Sequence, residues 1–571
     1  MMIRSPGRLS LAALSLLVTL PFLDPRHFLP IPTFRQEWLA IALGIAVIAL
    51  LLLDRNESPW EIPRSALFPP LLGGLLWIQH AAGGSIRLEY VIVASLCLGW
   101  AGMLMVATCR LERLFGFERV ADLLSWALLA GALAQAATGA LQLWAPWIGL
   151  PLIFPGHGAM QGNLAQANAF ADYLWLGIAG ALALHSRQRI GTAALAAALI
   201  PLTACTLLSG SRSVYFYAAA LAGWSLVAAW QRQNGAEWRR LIIGAAMIAI
   251  AVVVLPEVPT FGGTTVSSAQ RLTAQGSYDP VRLTLWRAAI DIFLDHPWLG
   301  AGFDSYPREF FARIDRFPIN GIGIPEHSHN LVTQFAAGLG LAGLIFLAVA
   351  LAFWTGGAKR RWRESSAFPC FAVLLVLGIH SNLEYPLWYV HFMAIAAIAL
   401  ALADGNRFLV SPMRRHRTLG LIVLAGSLAA LVSLRGDYLT LEDAAAGYAA
   451  NGSRLTAEAQ QVLLIDAHRR TIWRSYAALQ FAGRMPIDGE AIEARLALME
   501  EAVTFSPIRE AVFRYAALLA LAGHPQAALE QLQRAMLAYP QEIGNASRMY
   551  GASGAEPALR PLLEELRQRS F

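Results

Sequence analysis

The stretch LVTQFAAGLGLAGLIFLAVALAFW, residues 331–354, contains no charged side chain. An α-helix rises about 1.5 Å per residue, so a stretch of this length can cross the roughly 30 Å hydrocarbon core of a bilayer. The basic cluster Lys359, Arg360 and Arg361 follows it closely, as is typical of the cytoplasmic end of a membrane span. The stretch therefore predicts a membrane helix.

The composition extends this prediction to most of the chain. Its 571 residues are 56% apolar and 14% charged, whereas a soluble domain has about 25% charged residues. A soluble enzyme is therefore excluded for most of the length. The expected fold class is all-α, a polytopic integral membrane protein with about twelve to thirteen transmembrane helices. The apolar runs lie at about residues 9–23, 38–53, 66–79, 88–108, 122–144, 165–184, 191–208, 213–230, 241–255, 331–354, 368–380, 387–403 and 418–434.

The positions of the arginines predict the orientation of these runs. With the N-terminus inside, the inner segments hold 20 of the 44 cationic residues, and the short outer loops hold only Arg26, Arg35, Arg87 and Arg212. Cytoplasmic loops carry such an excess, and the Arg-rich, Ala-rich and Leu-rich composition is typical of a bacterial inner-membrane protein. The outer side would then be the periplasm, where a reaction must use energy stored in its substrate.

This arrangement divides the chain into four predicted segments. Residues 1–255 form an N-terminal transmembrane bundle, 256–330 a large periplasmic loop, and 331–434 the C-terminal transmembrane helices. Residues 435–571 form a periplasmic helical domain, in which 506–540 has the pattern of a helix pair. The pair resembles a tetratricopeptide unit, and a plain helical domain without repeats fits equally well.

The outer loop contains one clear helix signal. Asp279-Pro280 is a good helix start, and His296-Pro297 ends the run. An apolar stripe between them predicts a helix lying in the membrane interface, formed by Leu283, Trp286, Ile290, Phe293 and Leu294. The glycines of Leu299-Gly300-Ala301-Gly302 permit a tight backbone, but no phosphate-loop signature follows them, so no nucleotide site is expected.

Two histidines, His327 and His329, lie immediately before the 331–354 run. They are either hydrated interfacial side chains, acid/base or anion-contacting groups, or metal ligands. No HExxH motif, paired aspartates or cysteine ligands accompany them, so the sequence predicts no metal site. The four cysteines lie in or beside apolar runs and are expected to be small buried residues.

Further polar residues lie at the outer ends of other runs. Amides at such positions usually cap and pack helices, whereas Asp172, a carboxylate inside a span, is by default functional or paired and lies near enough to the outer end to reach water. Arg212 opposes the charge bias and offers a planar fork of donors for phosphate oxygens, although interfacial snorkelling explains it as well. The other residues in this group, which we expect to bind the substrate, are Asn163, Gln166, Asn168, His380, Glu384 and Tyr385.

In order and placement, these motifs resemble the bacterial O-linked oligosaccharyltransferases, which are pilin or general protein glycosylation ligases within the O-antigen ligase and polymerase superfamily. The resemblance covers nearly the whole chain. Its pieces are Pro30–Phe34 with Glu37, Gly162–Asn168, Ser211-Arg212, Arg282 with Trp286 to Gly302, His327–Asn330, His380–Tyr389, and the helical tail.

The resemblance implies a metal-independent glycosyltransferase without a cofactor, with its active site facing the periplasm. It would move a preassembled oligosaccharide from undecaprenyl pyrophosphate to a serine or threonine hydroxyl of a periplasmic or pilin-like protein. His329 matches the family's essential histidine, with His327 as second choice. Arg212 and Arg282 would hold the pyrophosphate. The implied partners are this donor, the acceptor protein and membrane lipid, without nucleic acid.

Two alternatives remain from the sequence. An O-antigen ligase or polymerase would use a glycan or lipid A-core acceptor, which gives no obvious need for the long tail. A polysaccharide exporter should place charges along a path through the bundle, yet no cation lies within any of the apolar runs.

The orientation predicts the outcome of reporter fusions. Alkaline phosphatase folds only in the periplasm, so fusions after residues 260 and 440 should be active and a fusion after Lys359 inactive. An active fusion at Lys359 would reverse the orientation and move His329 to the cytoplasm.

Overall fold

The computed structural model describes most of the chain. Asp279, the predicted cap of the outer-loop helix, lies outside the described part, as does most of the segment 256–279. The described residues are 6–54, 56, 58–84, 86–156, 158–232, 237–255, 268, 280–319, 323–411, 414–449, 452–552 and 556–568.

Helices dominate the structure, and each of the thirteen apolar runs falls on one. Up to residue 255 the helices are α1 Pro6–Leu17, α2 Phe34–Leu53, α3 Phe68–Ala81, α4 Leu88–Phe115, α5 Phe117–Trp144, α6 Ala167–Ser186, α7 Thr192–Leu208, α8 Ser213–Gln231 and α9 Trp238–Val254. The next helices are α10 Pro280–Asp295, α11 Tyr306–Ala312, α12 Leu331–Arg361, α13 Phe368–His380, α14 Val390–Ala403 and α15 Arg414–Ala446.

The helical content confirms the all-α, polytopic fold class. Among the described residues, eight helices are long and apolar enough to cross a membrane. Shorter apolar helices lie at Thr192–Leu208, Ser365–His380 and Val390–Ala403. The expected count of twelve to thirteen crossings therefore remains a prediction. One small antiparallel sheet pairs β1, Trp60–Pro63, with β2, Arg407–Val410.

The tail is also helical. It contains α16 Ala457–Arg470, α17 Arg474–Ala482, α18 Ile492–Phe505, α19 Arg509–Leu521, α20 Pro525–Ala538, α21 Ile543–Ala552 and α22 Arg560–Gln568. The predicted helix pair is confirmed as α19 and α20, joined through Gly523 at a φ of 81°. Ala516 and Leu532 lie in the buried core, as expected from their spacing. The tetratricopeptide assignment remains a prediction.

The chain forms two compact units. Unit 1 comprises 1–75, 94–279 and 346–431, and unit 2 comprises 76–93, 280–345 and 432–571. Helix α6 is the most buried membrane-length helix in unit 1, with 89% of its apolar window buried. Gly177 and Gly180 permit close packing, because a Cβ atom at these positions would lie 2.2 Å from the Ala132 Cβ and 2.6 Å from the Ser125 carbonyl oxygen.

In unit 2, α12 differs from the expected uninterrupted span. Gly340 has a φ of 62° and breaks the helix, and the turn at 297–302 packs against the break. In this turn, the Pro297 carbonyl oxygen accepts a hydrogen bond from the Leu341 N–H at 2.7 Å. The Trp298 carbonyl oxygen accepts one from the Ala342 N–H at 3.1 Å. It donates from the Ala301 N–H to the Ala337 carbonyl oxygen, at 2.9 Å.

These hydrogen bonds satisfy backbone groups that the break would otherwise leave open, a necessity at membrane depth. Gln79 completes the junction: its Nε2 donates to the Gly338 carbonyl oxygen at 2.7 Å, and its Oε1 accepts from the Phe303 N–H at 3.2 Å. Gly300 is required here, because its φ is 71° and a Cβ would lie 2.3 Å from the Gly338 carbonyl carbon. The glycine pair thus serves a backbone junction.

This junction predicts the effect of Gly300→Ala. The added Cβ meets backbone atoms and the residue has a positive φ, so the substitution should lower the free energy of unfolding by about 3 kcal/mol. Thermal unfolding of the purified chain in detergent measures the loss.

Gly436→Ala is the matched control, because this glycine lies in α15 with no atom within 4 Å of an added Cβ. It should leave stability unchanged or raise it by up to about 1 kcal/mol. Equal melting temperatures for Gly300→Ala and the wild type would contradict the junction's structural role.

Candidate active site

The residues singled out from the sequence fall into two groups, one in each compact unit. Unit 2 holds Arg282, His327 and His329. Unit 1 holds the larger group, namely Asn163, Gln166, Asn168, Arg212, His380, Glu384 and Tyr385.

The histidine segment is tied to the first turn of α12. The Asn330 Oδ1 accepts hydrogen bonds from the N–H groups of Val332 and Thr333, at 3.0 and 3.1 Å. These are two of the backbone donors that a helix start leaves without intrahelical partners. The buried Ser328 donates its N–H to the Gln334 Oε1 at 2.8 Å, so the loop and the helix start form one unit.

His329 lies between these two anchored residues, and its φ is 56°. Side chains other than glycine rarely adopt this conformation, which persists only where the surroundings enforce it. Here the hydrogen bonds of Ser328 and Asn330 hold the backbone on both sides. The Cα of His329 therefore has a fixed position, which is what a group must have to meet a substrate in one geometry.

His327 lies two residues before His329 and has a lowered pKa. Its side chain is partly buried. The pKa of His327 is lowered to about 3, mainly because burial disfavours the charged form and also because His329 lies nearby. His327 is therefore neutral at neutral pH and a weak base.

Helix α10 carries Arg282 in its first turn, and it has a buried apolar face in addition to the predicted stripe. Leu285, Ala288, Ala289 and Ile292 are buried in the core of unit 2, whereas Ile290 is 50% and Leu294 68% exposed. The helix therefore has two apolar faces. The stripe predicted from the periodicity contains the residues of the exposed face. An exposed apolar face is compatible with the expected position at the membrane interface.

The carboxylates of α10 are bound by arginines: Arg313 binds both Asp291 and Asp295, and Arg316 also binds Asp291. Arg313 is 8% exposed and donates to Asp291 at 3.0 Å, to Glu309 at 2.6 Å and to Asp295. This cluster anchors α10 to α11. Within the described part of the chain, His, Cys, Asp and Glu form no group of three or more that could hold a metal ion.

In unit 1 the structure brings three of the predicted residues together. The Asn168 Nδ2 donates to the Glu384 Oε1 at 2.7 Å, and the Glu384 N–H donates to the His380 carbonyl oxygen at 2.7 Å. The buried His380 lies with its Nδ1 2.6 Å from the Tyr217 hydroxyl. The start of α6 and the end of α13 are thus joined by polar side chains, with α8 contributing Tyr217.

Asn163 has a structural role in this unit. Its Nδ2 donates to the carbonyl oxygens of Leu23 and Leu152, both at 2.8 Å, and its Oδ1 accepts from the Phe154 N–H at 3.0 Å. Both of its amide hydrogens are therefore used within the protein. Asn163 connects three loops, and Gln166 lies just beyond it, before the first residue of α6.

Arg212 and Tyr385 are partly buried at the ends of other helices. Arg212 directly precedes α8, between the buried Ser211 and Ser213. The ring of Tyr385 lies 5.7 Å from that of Tyr389, centroid to centroid.

Asp172 departs from expectation. Asp172 is fully buried in α6, with no hydrogen-bond partner among the described residues for either oxygen, so the expected reach to water is wrong. His27 lies in the loop before α2, and its Nε2 is 2.8 Å from the Asn163 carbonyl oxygen. A substitution at His27 would therefore disturb the loop that Asn163 organises.

Sequence reasoning missed Tyr217 and His391, which both lie inside apolar runs. His391 is 1% exposed and contacts Phe22 edge-on, with ring centroids 4.9 Å apart. Its signal was available, because an ionisable residue within a membrane span is by default a functional candidate. Tyr217 offered a weaker signal, a hydroxyl in an apolar helix that requires a polar partner.

Comparison with known families matches two regions of the chain. Residues 194–348 match the family model described as O-antigen ligase, and this region contains Arg212, Arg282, His327 and His329. Residues 369–549 match the family model described as virulence factor membrane-bound polymerase, C-terminal. That region contains His380, Glu384, Tyr385 and most of the tail.

Two characterised proteins are similar over most of their length. A general O-oligosaccharyltransferase of Acinetobacter baylyi is 23% identical over 405 residues, which cover 69% of this chain and 69% of that protein. An O-antigen ligase of Pseudomonas aeruginosa is 25% identical over 405 residues, which cover 66% of this chain and 85% of that protein. The helical membrane fold and these matches support the assignment of the chain to the glycan-ligating superfamily of O-antigen ligases and O-oligosaccharyltransferases, as a multi-pass membrane enzyme.

Proposed function

We propose that this enzyme transfers a preassembled oligosaccharide from undecaprenyl pyrophosphate to serine or threonine hydroxyls of periplasmic or pilin-like proteins. The observation that carries the proposal is the histidine segment, in which His329 has a strained backbone held by Ser328 and Asn330 on either side. The enzyme would lie in the bacterial inner membrane with its active site facing the periplasm.

The chemistry requires little beyond positioning. The acceptor oxygen attacks the anomeric carbon, a new C–O bond forms, and the bond from that carbon to the pyrophosphate oxygen breaks. A single displacement of this kind inverts the anomeric configuration. Because pyrophosphate is already a good leaving group, the protein must orient the donor, accept the hydroxyl proton and neutralise the developing charge.

His329 is the proposed base for the acceptor hydroxyl. A general base is most effective with a pKa near the working pH. His327, with a pKa near 3, is poorly suited to this task, which supports His329 as first choice. His327 would remain neutral beside it and hydrogen-bond without adding positive charge.

Arg212 and Arg282 are the proposed pyrophosphate ligands. Guanidinium groups offer paired donors that match phosphate oxygens, and both residues lie at the start of a helix. Helix starts also favour anions through the backbone dipoles. Gln166, Asn168, His380, Glu384 and Tyr385 would contact the sugar hydroxyls. Asn163 would act as a positioning residue, because its amide hydrogens are already used.

The acceptor is the least constrained part of the proposal. The helical tail gives a folded surface for contact with a protein, which supports a protein acceptor. The similarity to an O-antigen ligase keeps a second candidate open, transfer to a glycan or lipid A-core acceptor.

The histidine assignment predicts a specific loss. His329→Ala should abolish detectable transfer in a purified assay with lipid-linked donor and acceptor protein, a reduction of about 10² to 10⁴ in rate. Donor binding should be retained, because the base contacts the acceptor. His524→Ala, an exposed histidine in the tail, should be silent.

The arginines should behave differently. Arg212→Ala and Arg282→Ala should weaken donor binding as well as transfer, and lysine should rescue only partly because it lacks the planar fork. Arg287→Ala, an exposed position on the same helix as Arg282, is the control. Wild-type transfer by His329→Ala, with His327→Ala or His380→Ala inactive, would show that the histidine assignment is wrong.

Metal dependence gives a further test. Since arginines are proposed to neutralise the pyrophosphate, transfer by the purified enzyme should survive EDTA. Loss of transfer that Mg²⁺ or Mn²⁺ restores would contradict this proposal and would point to a carboxylate such as Glu384 as a ligand.

A further inference from the structure

A cavity of about 400 Å³ lies in unit 1, where segments assigned to the cytoplasmic side by the charge pattern meet. It adjoins the small sheet of β1 and β2 and the ends of α4 and α12. None of the residues proposed for glycan transfer lines it. Its lining residues are Glu61, Arg64, Arg113, Arg360, Arg361, Gly405, Asn406, Arg407 and Leu409.

Three of the arginines are paired with carboxylates. Arg407 donates to Glu61 at 3.0 Å and to Glu112 at 2.6 Å. Arg361 binds the other oxygen of Glu112 at 2.8 Å, and Arg113 binds Glu61 at 2.5 Å. Burial by itself would raise the pKa of Glu61, but hydrogen bonds from Arg407 and Arg113 lower it, so the carboxylate is ionised at neutral pH. These ion pairs hold the wall of the cavity in place.

The two remaining arginines, Arg64 and Arg360, are exposed at the cavity, and no carboxylate within the described residues pairs with either. Five arginines thus face Glu61, Glu112 and the adjoining buried Asp404, which accepts hydrogen bonds from Ser65 and Asn406, and this leaves a surplus of two positive charges. Such a surplus in a concave site attracts a multivalent anion, because low-dielectric walls focus the field.

Apolar side chains lie next to this charge. Leu409 lines the cavity and is 64% exposed, and Phe408 and Leu67 are also exposed nearby in sequence. A soluble anion gains nothing from these side chains. A lipid gains from both features, because its phosphate meets the guanidinium groups while its acyl chain covers the apolar residues.

We propose that this cavity binds the phosphate headgroup of an anionic phospholipid from the cytoplasmic leaflet. Basic pockets between membrane helices on the cytoplasmic side suit such headgroups. Arg64 and Arg360 supply guanidinium donors that no carboxylate of the described residues binds. The ion-pair network holds the other three arginines in place in the same cavity. Bound lipid would hold together the inner ends of α4 and α12 and the strands β1 and β2.

The test uses the full-length chain purified in detergent, with lipid binding followed by native mass spectrometry and thermal unfolding. Phosphatidylglycerol should bind and raise the melting temperature, and phosphatidylcholine should not. The double variant Arg64→Gln, Arg360→Gln should bind phosphatidylglycerol at least about tenfold more weakly. The double variant Arg119→Gln, Arg239→Gln removes the same charge from exposed positions outside the cavity and should bind like the wild type.

The double variant Arg64→Lys, Arg360→Lys keeps the charge and should show intermediate affinity, and its fold can be checked by its melting temperature without lipid. Unchanged binding of phosphatidylglycerol by the Gln variant would overturn the proposal. Stabilisation by inorganic phosphate together with equal binding of phosphatidylglycerol and phosphatidylcholine would also overturn it, because the site would then serve a soluble anion.

Discussion

The backbone hydrogen bonds between the turn at 297–302 and the broken helix α12 are the interaction on which unit 2 depends. A break inside a membrane-length helix exposes N–H and C=O groups that lipid cannot satisfy. The turn supplies the missing partners, and Gly300 and Gly340 allow the two backbones to approach. The turn follows α10, which carries Arg282, and the histidine segment precedes α12. This junction therefore connects α10 to the helix that begins beside His329.

The surrounding lipid also limits where chemically active side chains can lie. Most of each helix must be apolar, so polar side chains collect at helix ends, where Asn330, Gln166 and Arg212 are found. Each lies at or just before the first turn of a helix, where backbone donors lack intrahelical partners. At the start of α12, two of those donors bind the Asn330 side chain, which fixes the backbone next to His329.

Much of this could be predicted from the sequence, because apolar runs and charge bias are local signals. The helices, the tail pair and the turn formed by the glycine pair all followed from such patterns. The buried face of α10 did not, since periodicity cannot distinguish an apolar face that meets protein from one that meets lipid. The Asn168–Glu384 hydrogen bond joins residues 216 positions apart, and no spacing rule connects them. The burial of Asp172 likewise depends on the neighbours of α6, which the sequence does not show.

The central claim is that the glycan is transferred to protein, and the acceptor is the point on which related enzymes differ. The most direct measurement is quantitative glycoproteomics of the periplasmic proteins from a host strain with and without this gene, with lipopolysaccharide analysed in parallel. The account predicts that serine- and threonine-linked oligosaccharides disappear from proteins while the lipopolysaccharide is unchanged. Loss of O-antigen from the lipopolysaccharide with protein glycans intact would contradict it.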